Sequence, residues 1–187
     1  MLGKFNVRNV LAVLRGATIL RMKADKVGKW SRLHGRVSIK NSGTLRIGRN
    51  VSMTSRPMPS QVVVNEGAVL EIGDNVFMNC GLDIGCTARI SIGDNTIIGP
   101  LVNIIDCNYH PVDASKPTTS QAITIEENVW IGRGVTILPG ITIGRGSVVA
   151  AGSVVTKSIP ERVLAGGVPA AIIRELDIPP DWIRRNQ

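Results

Sequence analysis

One short stretch of the sequence combines residue types that can transfer protons. It reads Ile105-Asp106-Cys107-Asn108-Tyr109-His110-Pro111-Val112-Asp113 and holds one of the two histidines and the only tyrosine of the chain. Imidazole changes charge near neutral pH and can serve as a general base when a neighbouring group orients it. His110 is therefore the candidate base. Asp106 is the favoured orienting group, with Asp113 and a backbone carbonyl as alternatives that the sequence leaves open.

The composition limits the classes of fold that can hold this stretch. The chain has 187 residues, which suits one domain; 43% are hydrophobic, only 3% are aromatic, and 20 are glycine. This mixture is typical of a repetitive β architecture built from small aliphatic side chains. No apolar run reaches the roughly 18 residues of a membrane-spanning helix, and Val10–Leu14 is too short for a secretory signal. We expect a cytoplasmic protein.

The positive charge is concentrated near the N-terminus. Residues 1–36 contain nine basic residues and one acid, whereas the rest of the chain holds thirteen of each, so the net charge of +8 lies in this segment. The pattern Val7, Val10, Leu11, Leu14 and Ala17 predicts one apolar helical face. This helix either caps the rest of the fold or binds peripherally to an anionic inner membrane. Nucleic acid is not expected as a partner, because aromatic residues are not interleaved with the charges.

A repeat runs through most of the remaining sequence. The string Ile-Gly-(Asp/Arg)-(Asn/Gly) begins at residues 47, 72, 92 and 143, with a variant at 125. A finer six-residue period places aliphatic or similar residues at 72, 78, 84 and 90, at 92, 98 and 104, and at 125, 131, 137, 143, 149 and 155. Neither a helix, with a period of about 3.6, nor a half-buried strand, with a period of 2, explains it.

Six residues suit a short strand followed by a corner, and three such steps close one 18-residue coil of a triangular solenoid. Glycine and asparagine after each isoleucine suit corners that need positive φ. The spacings between successive isoleucines exceed 18 by 7, 2, 15 and 0. We expect the larger excesses to be extruded loops, the main one at about 105–122. The predicted organisation is a helical segment 1–35, a solenoid 36–175 and a C-terminal helical cap 176–187.

The repeat closely resembles that of the hexapeptide-repeat acyltransferases, and so does the motif His110-Pro111-x-Asp113 followed by Asn128-Val129-Trp130-Ile131-Gly132. The match extends from about residue 72 to 174. It is similar to sugar and polysaccharide O-acetyltransferases of this family. The resemblance implies a left-handed parallel β-helix, since the period alone does not determine handedness. It further implies direct acyl transfer from acetyl-coenzyme A with His110 as base, so that Cys107 has no covalent role.

The resemblance also implies where substrates bind. The family's coenzyme A contacts fall on Arg133, Ala151, Thr156, Lys157 and Arg174 in this sequence. Two acceptor-binding positions of the family's sugar acetyltransferases fall on Gly81 and Cys86, whose side chains cannot bind a sugar in the same way. The polar candidates for a saccharide acceptor are instead Asn79 and Asp83, together with Tyr109 and Trp130. The family forms homotrimers with active sites between subunits, so we expect the same here.

Two other functions were weighed. A γ-type carbonic anhydrase shares this solenoid but needs three zinc-binding histidines, and only His34 and His110 exist. The free cysteines Cys80, Cys86 and Cys107 lack a C-x-x-C motif and predict buried thiols, so no metal site is expected. A non-catalytic scaffold or binding module is the remaining alternative, and the His110 loop argues against it. The acceptor, the acyl chain length and a carrier-protein donor in place of coenzyme A are left open.

Overall fold

The computed structural model describes residues 7–111, 113–179 and 181–184. It is a parallel β-solenoid of about seven coils, and it confirms the predicted left-handed β-helix fold class. None of the helices in these described ranges is long and apolar enough to cross a membrane.

The strands form three faces of a prism. The first face is a six-stranded parallel sheet: β1 (Lys26–Val27), β3 (Thr44–Ile47), β5 (Val69–Ile72), β8 (Arg89–Ile92), β11 (Ile123–Ile125) and β14 (Thr142–Ile143). Two long strands, β2 (Arg32–Asn41) and β4 (Ser52–Val64), join the second and third faces into one sheet. The second face continues with β6 (Phe77–Met78), β9 (Ile97–Ile98), β12 (Trp130–Ile131), β15 (Val148–Val149), β17 (Val163–Gly167) and β18 (Ala170–Glu175). The third face continues with β7 (Asp83–Cys86), β10 (Asn103–Ile105), β13 (Thr136–Ile137) and β16 (Val154–Val155).

The core is a set of aliphatic columns inside this prism. Each strand pairs in register with its equivalent one coil away, as Ile84 does with Ile104 and Ile125 with Ile143. Every position of the six-residue period is buried: Ile72, Met78, Ile84, Ile90, Ile92, Ile98, Ile104, Ile125, Ile131, Ile137, Ile143, Val149 and Val155. Burial of these side chains is the main favourable term in forming the solenoid.

Asparagines form the corner between the first and second faces. Asn50, Asn75, Asn95 and Asn128 have φ between 54° and 59°, a left-handed conformation that asparagine tolerates better than most residues. The Asn50 amide donates to Asn75 (3.0 Å), and the Asn75 amide donates to Asn95 (3.2 Å). The predicted corner chemistry is therefore confirmed, and the side chains also link one coil to the next.

The two spacing excesses are accommodated differently. The excess of 15 forms a loop, residues 106–122, between β10 and β11, as predicted. The excess of 7 does not form a separate loop. Residues 53–62 widen a corner within the continuous strand β4, and the pairing of β2 with β4 shifts register between Gly35 and Val37.

A helical lid, residues 7–23, covers the N-terminal end of the solenoid. It consists of α1 (Val7–Arg15), a π-helical turn (Gly16–Leu20) and α2 (Arg21–Lys23). The lid packs on β2 through Ala12, Gly16 and Leu20, and any side chain at Gly16 would overlap the Ser31 carbonyl oxygen. The predicted apolar face is therefore not the face that packs on the solenoid, because small residues permit the closest helix approach.

The exposed part of the lid carries the side chains of the predicted apolar face. Val10, Leu11, Leu14 and Ala17 are exposed, and the side chain of Val7 lies outside the described residues. The first coil already begins at β1, so residues 26–35 belong to the solenoid rather than to the predicted helical segment 1–35.

The C-terminal end is closed by strands rather than by the predicted helical cap. Strand β18 pairs antiparallel with β17, and the described residues between 176 and 184 contain no helix. They form an irregular tail with a turn in which the Trp182 N–H donates to the Pro179 carbonyl (3.1 Å). The Asn128 side chain holds this tail, donating to the Trp182 carbonyl (2.7 Å) and accepting from the Arg184 N–H (2.8 Å). Prolines 179 and 180 suit the first turn of a helix, but the side-chain contacts of Asn128 hold the tail in a non-helical conformation instead. Pro180 and residues 185–187 lie outside the described residues.

Candidate active site

The 106–122 loop extends from the corner between the third and first faces, and contacts between its first and last residues fix its two ends. Cys107 and Ser120 form an antiparallel bridge, and the Gln121 N–H donates to the Asp106 carbonyl (2.8 Å). The Cys107 side chain is buried, and its sulfur accepts from the Tyr109 N–H at 3.3 Å. The loop therefore starts and ends as part of the solenoid wall.

Asp106 belongs to that wall. Its side chain is fully buried, and its two carboxylate oxygens accept the N–H groups of Thr87 (2.7 Å) and Ala88 (2.8 Å). These donors form the corresponding corner one coil earlier. The expectation that Asp106 orients His110 is corrected by these contacts, because the carboxylate is fully buried in the wall and bonds the preceding corner, whereas His110 is exposed. Asp106 supports the loop from below.

His110 lies exposed on the outer part of the loop. Its backbone N–H donates to the Asn108 carbonyl at 2.7 Å, while no residue that the structure describes hydrogen-bonds its imidazole. The alternative orienting carboxylate, Asp113, accepts from the N–H and hydroxyl of Ser115, and these bonds hold its pKa below the ordinary value. The His110 imidazole is therefore free to meet a substrate hydroxyl.

Tyr109 fits the loop against the third face. Its backbone has a left-handed φ of 58°, and a Cβ added at Gly85 would lie 2.5 Å from its hydroxyl oxygen. Gly85 pairs with Ile105 in the sheet, and two residues earlier Asp83 pairs with Asn103. Polar side chains on the outer surface of this face thus lie beside the Tyr109 ring.

Asp83 is the better placed of the two predicted acceptor residues. Its carboxylate accepts from the Gln61 amide (3.1 Å) and is half-buried on the outer surface of the third face. Asn79 lies at the corner between the second and third faces and bonds the adjacent Cys80 N–H (2.8 Å). Asn103, which pairs with Asp83, was not among the predicted residues, although its position twenty residues after Asp83, like that of Ile104 after Ile84, indicates the same face.

Four of the predicted donor-binding residues lie on corners that border the third face. Arg133 and Ala151 are exposed at the corner with the second face, where the Gly152 N–H donates to the Arg133 carbonyl (2.8 Å). Thr156 and Lys157 are exposed after β16, at the corner from which the His110 loop also leaves, two coils earlier. The third face therefore connects the predicted donor residues with His110.

Trp130 and Arg174 lie elsewhere, on the second face. Trp130 is 44% exposed, and the Arg184 guanidinium of the tail lies 5.8 Å from its ring centroid. Arg174 is in β18, three strands beyond Trp130 in the sheet, and donates to the Glu175 carbonyl at 3.1 Å. Within one chain, Trp130 and Arg174 therefore lie apart from the predicted site residues at the third face.

The remaining reactive side chains do not form a second site. All three cysteines are free and buried, and burial, with the nearby Asp106 charge, raises the pKa of Cys86 to about 12. No cluster of three or more metal-binding side chains occurs in residues 7–111, 113–179 and 181–184.

Comparison with known proteins identifies the repeat. Residues 122–157 match the model of the bacterial transferase hexapeptide family (six repeats). A galactoside O-acetyltransferase of Escherichia coli is 42% identical over 119 residues, which are 62% of this chain and 59% of that protein. The chain thus spans about six tenths of that relative's length. The putative lipopolysaccharide biosynthesis O-acetyl transferase WbbJ of Escherichia coli is 36% identical over 149 residues, 73% of this chain and 74% of that protein.

The fold comparison agrees. A hexapeptide-repeat-containing acetyltransferase of Vibrio cholerae, solved in complex with acetyl-coenzyme A, superposes with a TM-score of 0.59 at 29% identity, covering 91% of this chain and 86% of that chain. With the extended match to WbbJ and the regular coils described above, the chain belongs to the hexapeptide-repeat acetyltransferase family.

Proposed function

We propose that this protein transfers an acetyl group from acetyl-coenzyme A to a hydroxyl of a saccharide, with His110 as general base. The observation that carries the proposal is the contrast within one loop: an exposed His110 without a partner among the described residues, and a buried Asp106 that supports it. The relatives named as sugar O-acetyltransferases and the acetyl-coenzyme A complex support the choice of substrates.

In the proposed reaction the imidazole accepts the proton of the acceptor hydroxyl as its oxygen attacks the thioester carbonyl carbon. A carbon–oxygen bond forms, the carbon–sulfur bond breaks, and the departing thiolate receives the proton back from the imidazolium. No covalent acyl-enzyme is required, which agrees with the buried position of Cys107. Asp83, Asn103 and Tyr109 would bind the acceptor on the third face.

A homotrimer is part of the proposal. Trp130 and Arg174 lie on the second face of the prism, whereas His110 and Asp83 lie at the third. Packing the second face of one subunit beside the third face of its neighbour would complete the site and would provide an orienting partner for the imidazole. We further propose a cytoplasmic enzyme of surface-polysaccharide biosynthesis, with residues 1–35 bringing it to the inner membrane.

The test is release of free thiol from acetyl-coenzyme A in the presence of a panel of sugars and sugar nucleotides. Acceptor-dependent release by the native protein, lost in His110→Ala and retained in the loop control Ser115→Ala, would establish the proposal. Turnover that survives His110→Ala contradicts the mechanism. Absence of both turnover and coenzyme A binding favours the non-catalytic scaffold.

A further inference from the structure

The outer side of the lid is unusually apolar for a solvent-facing helix. Leu11 is 50% exposed, Leu14 is 55% exposed and Met22 is 82% exposed, whereas the buried residues that pack on the first coil are Ala12, Gly16 and Leu20. A helix at a protein surface ordinarily turns polar residues outward. The lid therefore exposes large apolar side chains that the solenoid does not cover.

The rim of the first coil extends this surface. Trp30 lies in the turn between β1 and β2, is 71% exposed and has a left-handed φ of 65°. Tryptophan and leucine side chains presented together at one end of a protein are typical of surfaces that enter the interfacial zone of a lipid bilayer.

The same end carries the excess positive charge. Arg15, Arg21, Lys23, Lys26 and Lys29 are exposed around the lid and the first coil. Against these five basic residues stands one exposed acid, Asp25, whose carboxylate accepts the Leu45 N–H (2.8 Å) and the Asn41 amide (3.2 Å). The surface is therefore apolar at its centre and cationic around it.

We propose that this surface, formed by the lid and the rim of the first coil, docks on an anionic phospholipid bilayer. Charge complementarity selects this partner. A second copy of the same surface would bring five basic side chains against five others, and apolar groups would gain nothing from a nucleic-acid backbone. Leu11, Leu14, Met22 and Trp30 would enter the interface while the basic residues meet lipid phosphates.

Docking at this end places the active site at a defined height, an argument that rests on the proposed function. The His110 loop leaves the fourth coil, so three coil spacings of about 4.8 Å, or about 15 Å, separate it from the first coil. Because the lid lies between the first coil and the bilayer, the site stands more than about 15 Å above the membrane. A lipid-anchored sugar reaches this height only when polar units separate it from the lipid. The inference thus narrows the acceptor to glycans displayed at the bilayer surface.

The experiment is sedimentation of the full-length protein with vesicles of phosphatidylcholine alone or mixed with phosphatidylglycerol, at low and high salt. We expect binding that requires phosphatidylglycerol and weakens with salt. The double variant Leu11→Ser/Leu14→Ser and the double variant Arg21→Gln/Lys23→Gln should each bind at least about tenfold more weakly. Val168→Ser, an exposed apolar residue of the β17–β18 hairpin, is the control and should bind as the native protein does.

Thiol release with a soluble acceptor separates this proposal from the enzymatic one. The lid variants should retain full turnover, because the lid residues lie outside the proposed site. Binding that ignores phosphatidylglycerol, or that persists in both lid variants, overturns the bilayer proposal. The bilayer proposal is also overturned by a lid variant that forms a smaller oligomer but still sediments with vesicles as the native protein does. The surface would then be a contact between subunits.

Discussion

Polar side chains in the coil wall and His110 on the loop differ in their hydrogen bonding. In the wall, polar side chains bond within the fold: Asp106 holds the preceding corner, and asparagine amides link successive corners. On the loop, four residues beyond Asp106, the His110 imidazole has no partner among the described residues. Under the proposed function, Asp106 contributes to stability and His110 to chemistry within one short segment, and substitutions at the two positions should separate these effects.

Asp106→Ala should give the largest loss of stability. It would leave the N–H groups of Thr87 and Ala88 without their acceptor, and the free energy of unfolding should fall by about 3 kcal/mol. Denaturant titration measures this value. Asp106→Asn, which keeps one acceptor oxygen, should lose roughly half as much. If Asp106→Ala instead keeps its stability and loses turnover, Asp106 acts on His110 after all.

Gly85→Ala should show that the wall positions the loop. The added methyl group would meet the Tyr109 hydroxyl and displace the ring, so turnover should fall about tenfold. Tyr109→Phe removes the hydroxyl, so in the Tyr109→Phe background the added Gly85→Ala substitution should cause little further loss of turnover. Equal turnover in the single and native proteins would mean that the Tyr109 contact does not position His110.

Cys86 should make the wall sensitive to alkaline pH. Burial raises its pKa from 9.0 to about 12, so the folded state keeps the thiol proton that the unfolded state loses. Its contribution is complete below pH 9 and is lost as pH rises toward 12. By about pH 10 the free energy of unfolding should fall by about 1.4 kcal/mol from this group. Cys86→Ser should show a smaller decrease over the same interval, and identical pH profiles would refute the assignment.

Asn75→Ala should have the smallest effect of this series. The substitution removes two amide links of the corner ladder and places alanine at a left-handed φ of 58°, so we expect a loss of about 1 kcal/mol. Asn75→Gly keeps the backbone freedom and isolates the contribution of the amide links. If the two variants are equally stable, the backbone conformation contributes nothing measurable.

The repeat made most of the wall predictable. Each inward position follows from a local period, and the asparagines mark their own corners, so Ile84 and Asn75 could be assigned without the structure. The role of Asp106 could not, because its partners Thr87 and Ala88 lie nineteen and eighteen residues earlier and become neighbours only when the coils stack. The face of the lid that packs on the solenoid was not predicted, for a related reason. Hydrophobicity pointed to Leu11 and Leu14, whereas close packing selected Ala12 and Gly16.

The proposed site was also predictable only in part. Its loop and His110 were evident from the interruption of the repeat and the family motif. The separation of Trp130 and Arg174 from His110 was not, because residues distant in sequence are assigned to a face only by the number of coils and corners between them. That separation is also the reason why we propose an active site shared between subunits.

The most direct test of the division between wall and loop is turnover and stability measured together on His110→Gln. Glutamine keeps a polar side chain of similar reach but cannot act as a base. We expect acceptor-dependent thiol release to fall about 10²–10⁴-fold. The free energy of unfolding should stay within about 0.5 kcal/mol of the native value, since the side chain is exposed and unbonded to the described residues. Retained turnover, or a loss that only follows unfolding, would contradict His110 as the catalytic base.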